Sequence, residues 1–226
     1  MDIQLNYIEQ GQGQPLILLH GNGEDTTYFE HQIPFFSADY RVIAIDTRGH
    51  GKSPRGEKPF TINQFAEDLH DFMDEKGIDK AILLGFSDGG NIALTFALKH
   101  PERVDKLILN GANLFPSGVK AIYQWPIVIG YHIAKLFAKK SEEAKHNTEM
   151  LGLMVNEPHI EPSELTVLTM PVLVVAGTKD MIKDSHTRLI YSSLPNAQIE
   201  IIEGDHFIAN KQFEAFNRAV EEFLGD

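Results

Sequence analysis

The chain of 226 residues contains no cysteine. That excludes disulfides, thiolate metal sites and a cysteine nucleophile, and it is compatible with the cytoplasm, the compartment expected here. Basic residues are also scarce: 20 Lys and Arg stand against 32 Asp and Glu, a formal charge of −12. Nucleic acid and anionic membrane surfaces are held through basic patches, so neither is expected as a partner. Long apolar runs are missing too. The opening "MDIQLNY" has no basic region followed by an apolar stretch, so no signal peptide is expected. The most apolar stretch, "WPIVIGYHIAKLFA" at 125–138, is too short to span a bilayer and carries His132 and Lys135. No fixed-period repeat or low-complexity tract interrupts the chain. What is present, 42% hydrophobic and 23% charged residues, suits one globular unit over 1–226 with an ample core.

Short apolar runs alternate with helical patterns along most of that length. Residues 3–9 alternate weakly and end in "GQGQP", which predicts an N-terminal hairpin. "PLILLHG" (15–21) and the start of "RVIAIDTRGHGKS" (41–53) are buried strands, each running into a glycine loop. "TINQFAEDLHDFMDEKG" (61–77) is a helix with Ile62, Phe65, Leu69, Phe72 and Met73 on one face, Thr61 or a neighbour as cap and Gly77 as terminator. A strand at 81–85, a helix at 89–99 and a strand at 105–111 follow. Residues 113–168 then break the alternation. They form a helical insertion, with breaks predicted near Pro126, Pro158 and Pro162. Strands at 171–177 and 198–204 and helices at about 184–194 and 212–224 complete the pattern. It predicts an α/β fold, a mostly parallel central sheet with helices on both faces and a short helical cap at about 113–168. Ligands in such sheets bind at the carboxyl ends of the strands.

One strand end is unusual. In "LLGFSDGG" (83–90) a serine sits between an apolar strand and a good helix, with Gly85 and Gly89 two residues to either side. Gly-x-Ser-x-Gly in that setting is the nucleophile elbow, a tight turn that lifts the hydroxyl of Ser87 above the sheet. A serine nucleophile needs a base, and the base needs an orienting acid. Ten histidines compete for the first role. His31, His70, His100, His146, His159 and His186 fall in helical or exposed stretches. His206, in "EGDHF", follows a strand and so shares the face of Ser87. His20 and His50 also lie at strand ends; His20 precedes a glycine in its loop, and His50 reads as structural. Among the acids, Asp180 ends "AGTKD" just beyond a buried strand. Asp205 adjoins His206 and has difficulty turning onto its neighbour's ring. Asp46 anchors its own loop, and Asp184 reads as a helix cap.

With these residues in place the chain resembles the α/β-hydrolase family over nearly its whole length. The landmarks are "LILLHGNG", "DTRGHGKS", "GFSDGG", "HPERVDKLIL", "PVLVVAGTKD" and "IEGDHF". The order Ser87, Asp180, His206 is that family's serine–acid–histidine order. The resemblance implies an oxyanion hole built from the backbone N–H groups of Asn22 and Asp88, with Gly21 and Gly23 allowing close approach. It implies acyl transfer to water with no metal or organic cofactor. A dehalogenase, by the same resemblance, would carry aspartate where this chain has Ser87. Clustered acids such as Glu142 and Glu143 read as a solvated face, not a metal site.

The expected activity is hydrolysis of an ester-type acyl bond in a small or medium apolar substrate, carboxylesterase-like. Thioester, lactone or C–C bond hydrolysis and perhydrolase chemistry use the same triad, and a receptor-like member with slow turnover is the non-enzymatic alternative. The insertion offers Leu114, Phe115, Tyr123, Trp125, Tyr131, Phe137, Met150 and Met154, most of them expected to pack it on the body. It has no arginine pair to clamp a carboxylate or phosphate. The expected partner is a small-molecule acyl substrate, and a homodimer is compatible with the sequence.

Overall fold

The computed structural model describes residues 1–225. Its centre is a seven-stranded sheet: β1 (Tyr7–Gln10), β2 (Pro15–Leu19), β3 (Arg41–Ile45), β4 (Ala81–Phe86), β5 (Val104–Asn110), β6 (Val172–Gly177) and β7 (Ala197–Ile202), in the order β1-β3-β2-β4-β5-β6-β7. Only β1 runs antiparallel, against β3. Side chains alternate across each strand, so Ile17, Leu19, Ile43, Ile45, Leu83 and Leu107 face one side, and Leu16, Leu18, Val42, Ala44, Ile82 and Leu84 the other. Both sides are covered. The first packs on α2 (Ile62–Glu75) and α3 (Asp88–Lys99) through Phe65, Leu69, Phe72, Ile92 and Phe96. The second packs on α1 (Gln32–Phe36) and the C-terminal helix through Ile33, Phe36, Phe216, Val220 and Phe223. Double coverage is why the central strands read as continuous apolar runs.

Of the candidate caps for helix α2 the structure uses Thr61, whose hydroxyl accepts the N–H of Gln64 at 3.1 Å. Gly77 follows its end in the left-handed conformation. The predicted N-terminal hairpin does not form. Strand β2 is held by parallel ladders to β3 on one side and β4 on the other, so it has no free edge. β1 therefore pairs with β3, placing Tyr7 opposite Ile45.

Between β5 and β6 lie α4 (Ala121–Phe137) and α5 (Glu142–Asn156), packed against each other. Pro126, where a break was expected, sits inside α4. Proline has no N–H to offer the carbonyl of Ile122 one turn back, and Ile122 lies exposed in the first turn of the helix. The chain returns through α6 (Asp184–Ser193), α7 (Ile208–Lys211) and α8 (Phe213–Gly225). Asp184 is the first residue of α6 and not its cap; that place belongs to Lys183. Asp184 instead pairs with Arg188 one turn on.

Candidate active site

The ends of β2, β4, β5, β6 and β7 converge at the carboxyl edge of the sheet. At the end of β4 the chain turns into α3 within one residue, and Ser87 takes φ 53° and ψ −120°. It is the one described non-glycine residue with positive φ. Such a backbone costs on the order of 1–3 kcal/mol and persists only where neighbours over-determine it. Those neighbours explain the spacing of the flanking glycines. A Cβ on Gly85 would lie 2.2 Å from the carbonyl oxygen of Gly89, and one on Gly89 would lie 2.0 Å from that of Leu19. The turn therefore closes only with hydrogen at both positions.

The hydroxyl of Ser87 lies 3.1 Å from Nε2 of His206, and Nδ1 of that imidazole lies 2.7 Å from Oδ1 of Asp180. His206 and Asp180 are buried; Ser87 is half-buried. The Asp180 loop is fixed by its own side chain, which accepts the N–H groups of Ile182 at 2.8 Å and Gly177 at 3.3 Å. The imidazole is fixed by its packing. Gly111, at the end of β5, has φ +63°, and a Cβ there would lie 2.6 Å from Cε1 of His206. The sequence offered no way to see that Gly111 makes room for this ring. Asp205 is engaged elsewhere, accepting the N–H of Phe207 at 2.9 Å and pairing with Lys211. Asp46 likewise serves its own loop, accepting from Thr26, Lys52 and Asn6.

The loop after β2 meets the start of α3. Asp88 is the first residue of α3, so no carbonyl one turn back receives its N–H. The side chain of Asn22 donates to Asp88 Oδ2 and to the carbonyl of Met150 in α5, both at 2.9 Å. Asp88 also accepts from Asn91, which reaches Asn113 beyond β5. Burial raises the Asp88 carboxyl above the ordinary carboxylate range, while the amides of Asn22 and Asn91 work the other way. This buried network ties the Asn22 loop, the Ser87 turn and α5 together. None of its long-range bonds was legible beforehand.

Two further groups border the site. Glu24 accepts the N–H of Gly21 at 3.2 Å, and burial pushes its carboxyl up to about 7. With Gly23, Tyr28, Phe207 and Lys211 it lines an open cavity of about 570 Å³. That lining contains neither Ser87 nor His206. His20 accepts the Thr47 N–H at 3.0 Å, and burial pushes the neighbouring His50 down to about 3. Both rings hold loops in place. Among the described residues no three His, Asp or Glu side chains converge to hold a metal ion.

The chain has relatives among known proteins. It is 30% identical to 2-hydroxy-6-oxo-6-phenylhexa-2,4-dienoate hydrolase of Burkholderia cepacia, over 99% of this chain and 91% of that one. It is 27% identical to 3-oxoadipate enol-lactonase 2 of Acinetobacter baylyi (strain ATCC 33305 / BD413 / ADP1), over 97% and 92%. Among solved structures, a meta-cleavage product hydrolase from Pseudomonas fluorescens IP01 superimposes with a TM-score of 0.80 at 27% identity, covering 99% of this chain and 94% of that one. Residues 14–132 match the family model described as alpha/beta hydrolase fold, and with this sheet and these relatives the chain belongs to the α/β-hydrolase fold family.

Proposed function

We propose that the chain is a serine hydrolase that cleaves an ester-type acyl bond in a small or medium apolar substrate. The observation that carries this reading is the relay Ser87–His206–Asp180, with separations of 3.1 and 2.7 Å. Such distances fall within reach for general-base catalysis. The Ser87 hydroxyl donates its proton to Nε2 of His206 as its oxygen attacks the substrate carbonyl. The Nδ1–H donates to Asp180, which holds the tautomer and stabilises the imidazolium. The N–H groups of Asn22 and Asp88 receive the oxyanion, where losing one donor typically costs about 3–4 kcal/mol. His206 then protonates the leaving group, and water deacylates the enzyme by the same route reversed.

In this reading the stretch 113–168 is a cap over the site, with α5 as its inner wall. Apolar acyl groups suit it because the stretch has no arginine of its own, and Arg55, which reaches α5, is already held by Glu149 at 2.7 and 2.8 Å and by the carbonyls of Gly56 and Lys58. Lactone or C–C bond hydrolysis is the second reading, favoured by the names of the relatives. A fluorophosphonate probe should label one serine, in the peptide containing "GFSDGG", and Ser87→Ala should abolish the label. A panel of esters, thioesters, lactones and a vinylogous diketone then ranks the bond types. Labelling unchanged in Ser87→Ala would sink the proposal; a labelled enzyme that turns over only the diketone or lactone would favour the second reading.

A further inference from the structure

Helix α4 is apolar around most of its surface, with Gln124, His132 and Lys135 its only strongly polar side chains, yet none of its described residues is buried. A helix with apolar residues all round is normally enclosed on all sides. Here one side is satisfied by α5, where Gln124 donates to the carbonyl of Met154 and Tyr131 lies against Gly152. The opposite side has no such cover. Ile122, Trp125, Ile129, Ile133 and Leu136 follow one another by three or four residues and fall within an arc of about 80° at 3.6 residues per turn. Ile122 is 77% exposed, Trp125 65% and Leu136 78%. This is a continuous apolar stripe about 20 Å long at 1.5 Å per residue.

The charge around the stripe differs from that of the rest of the molecule. Residues 107–141 contain no acidic residue and four lysines, so they carry +4 while the remainder of the chain carries −16. Lys120 is turned inward to the carbonyl of Asp180. Lys135, Lys139 and Lys140 are exposed at the far end of the stripe. Lys135 and Lys140 lie over the rings of Tyr131 and Phe137, at 5.7 and 4.3 Å from their centroids. The nearest acids, Glu142 and Glu143, come after them at the start of α5, where Glu142 faces Lys145 at 3.7 Å. The net charge of −12 thus conceals a local cationic, apolar face.

We propose that this face docks on an anionic lipid surface, with the stripe at the headgroup–acyl boundary and Lys139 and Lys140, at its far end, among the phosphates. Aromatic and aliphatic residues beside lysines suit that boundary, and each lysine near an anionic leaflet adds to the attraction. A second copy fits less well. In either relative orientation the stripe offers no carboxylate to meet the partner's lysines. Docking would leave α5, and with it Asn22 and Ser87, on the side of α4 turned away from the bilayer.

Trp125 is the only tryptophan of the chain, so its emission reports on this stripe alone. The full chain is titrated with vesicles of phosphatidylcholine, and of phosphatidylcholine with about a third phosphatidylglycerol. Anionic vesicles should shift Trp125 emission to the blue and sediment the protein, with binding at least about tenfold weaker to neutral vesicles. Ile129→Asp with Leu136→Asp should abolish both signals without lowering Tm, because both side chains are exposed. Lys139→Glu with Lys140→Glu should remove the preference for anionic vesicles. Unchanged emission and sedimentation with either vesicle, equal binding to both, or binding that survives the double aspartate variant would overturn the proposal. So would a blue shift without vesicles that grows with protein concentration alongside a doubled sedimentation mass, which would assign the stripe to a second copy.

Discussion

The strand-end loops and α4 occupy the same edge of the molecule and are held in opposite ways. In the loops Asn22, Asp46, Asp88, Asp180, Asp205 and His206 all have polar partners, and Asp88, Asp180 and His206 are buried among them. Arg48 is the extreme case: fully buried, it meets Asp68 through two nitrogens at 2.6 and 2.7 Å and Asp2 at 2.6 Å. Helix α4 is held from one side only and leaves its largest side chains outside. Positions that must hold a geometry to a fraction of an ångström are fixed from several directions at once. A surface that meets a variable partner needs only its residue type and its charge.

The largest effect should separate two neighbouring carboxylates. Asp180→Asn should lower kcat on an activated ester by a factor on the order of 10⁴, because the imidazole then favours the wrong tautomer. Asp205→Asn should cost far less, since its oxygens serve Phe207 and Lys211. Steady-state kinetics with both variants, each checked by thermal melting, reads this directly. A crippled Asp205→Asn beside a normal Asp180→Asn would reverse the assignment.

A second test concerns stability. Arg48→Met leaves the carboxylate of Asp68 buried without its cation and should destabilise the fold by about 3–5 kcal/mol, measured by urea denaturation. A loss below about 1 kcal/mol would mean that the pair behaves like an exposed one.

The contrast between body and α4 sharpens with two matched truncations. Leu84→Ala, in the core of β4, should cost about 2–5 kcal/mol. Ile133→Ala, on the bare side of α4, should stay within about 0.5 kcal/mol. Equal losses would show that the stripe is covered in solution.

The smallest effect is a pH dependence. Burial raises the Glu24 carboxyl from 4.5 to about 7, so the folded state binds this proton more tightly than the unfolded chain. Its contribution to stability is present in full below about 4.5 and is lost as pH rises to about 7. Glu24→Gln cannot ionise and should flatten that part of the Tm profile. Asp88 shifts in the same direction in both proteins, so their difference isolates Glu24. Parallel profiles across that window would contradict the assignment.

Much of the site was legible because its signals are local. The apolar runs ending in glycine loops mark strand ends, and Ser87, Asp180 and His206 each follow such a run within a few residues. The structure brings all three together. The elbow was legible for a similar reason, since Gly85 and Gly89 answer to atoms only a few residues away or on the adjacent strand. The expectation that the insertion's apolar residues pack on the body holds for Leu114, Phe115 and Met150 and fails for Tyr123, Trp125 and Phe137. Periodicity reports that a face is apolar. It does not report what lies opposite.

The sequence by itself determined the order of strands and helices, the buried character of the central strands and the residues that gather at their ends, because each depends on neighbours within a turn or a strand. Only the tertiary structure decided that β1 takes the free edge of β3, that Gly111 clears space for His206, that Asn22 joins Asp88 to α5, and that α4 keeps an apolar side uncovered. Each of these depends on which distant segment arrives at the same place, and that is settled by how the whole chain closes around its sheet.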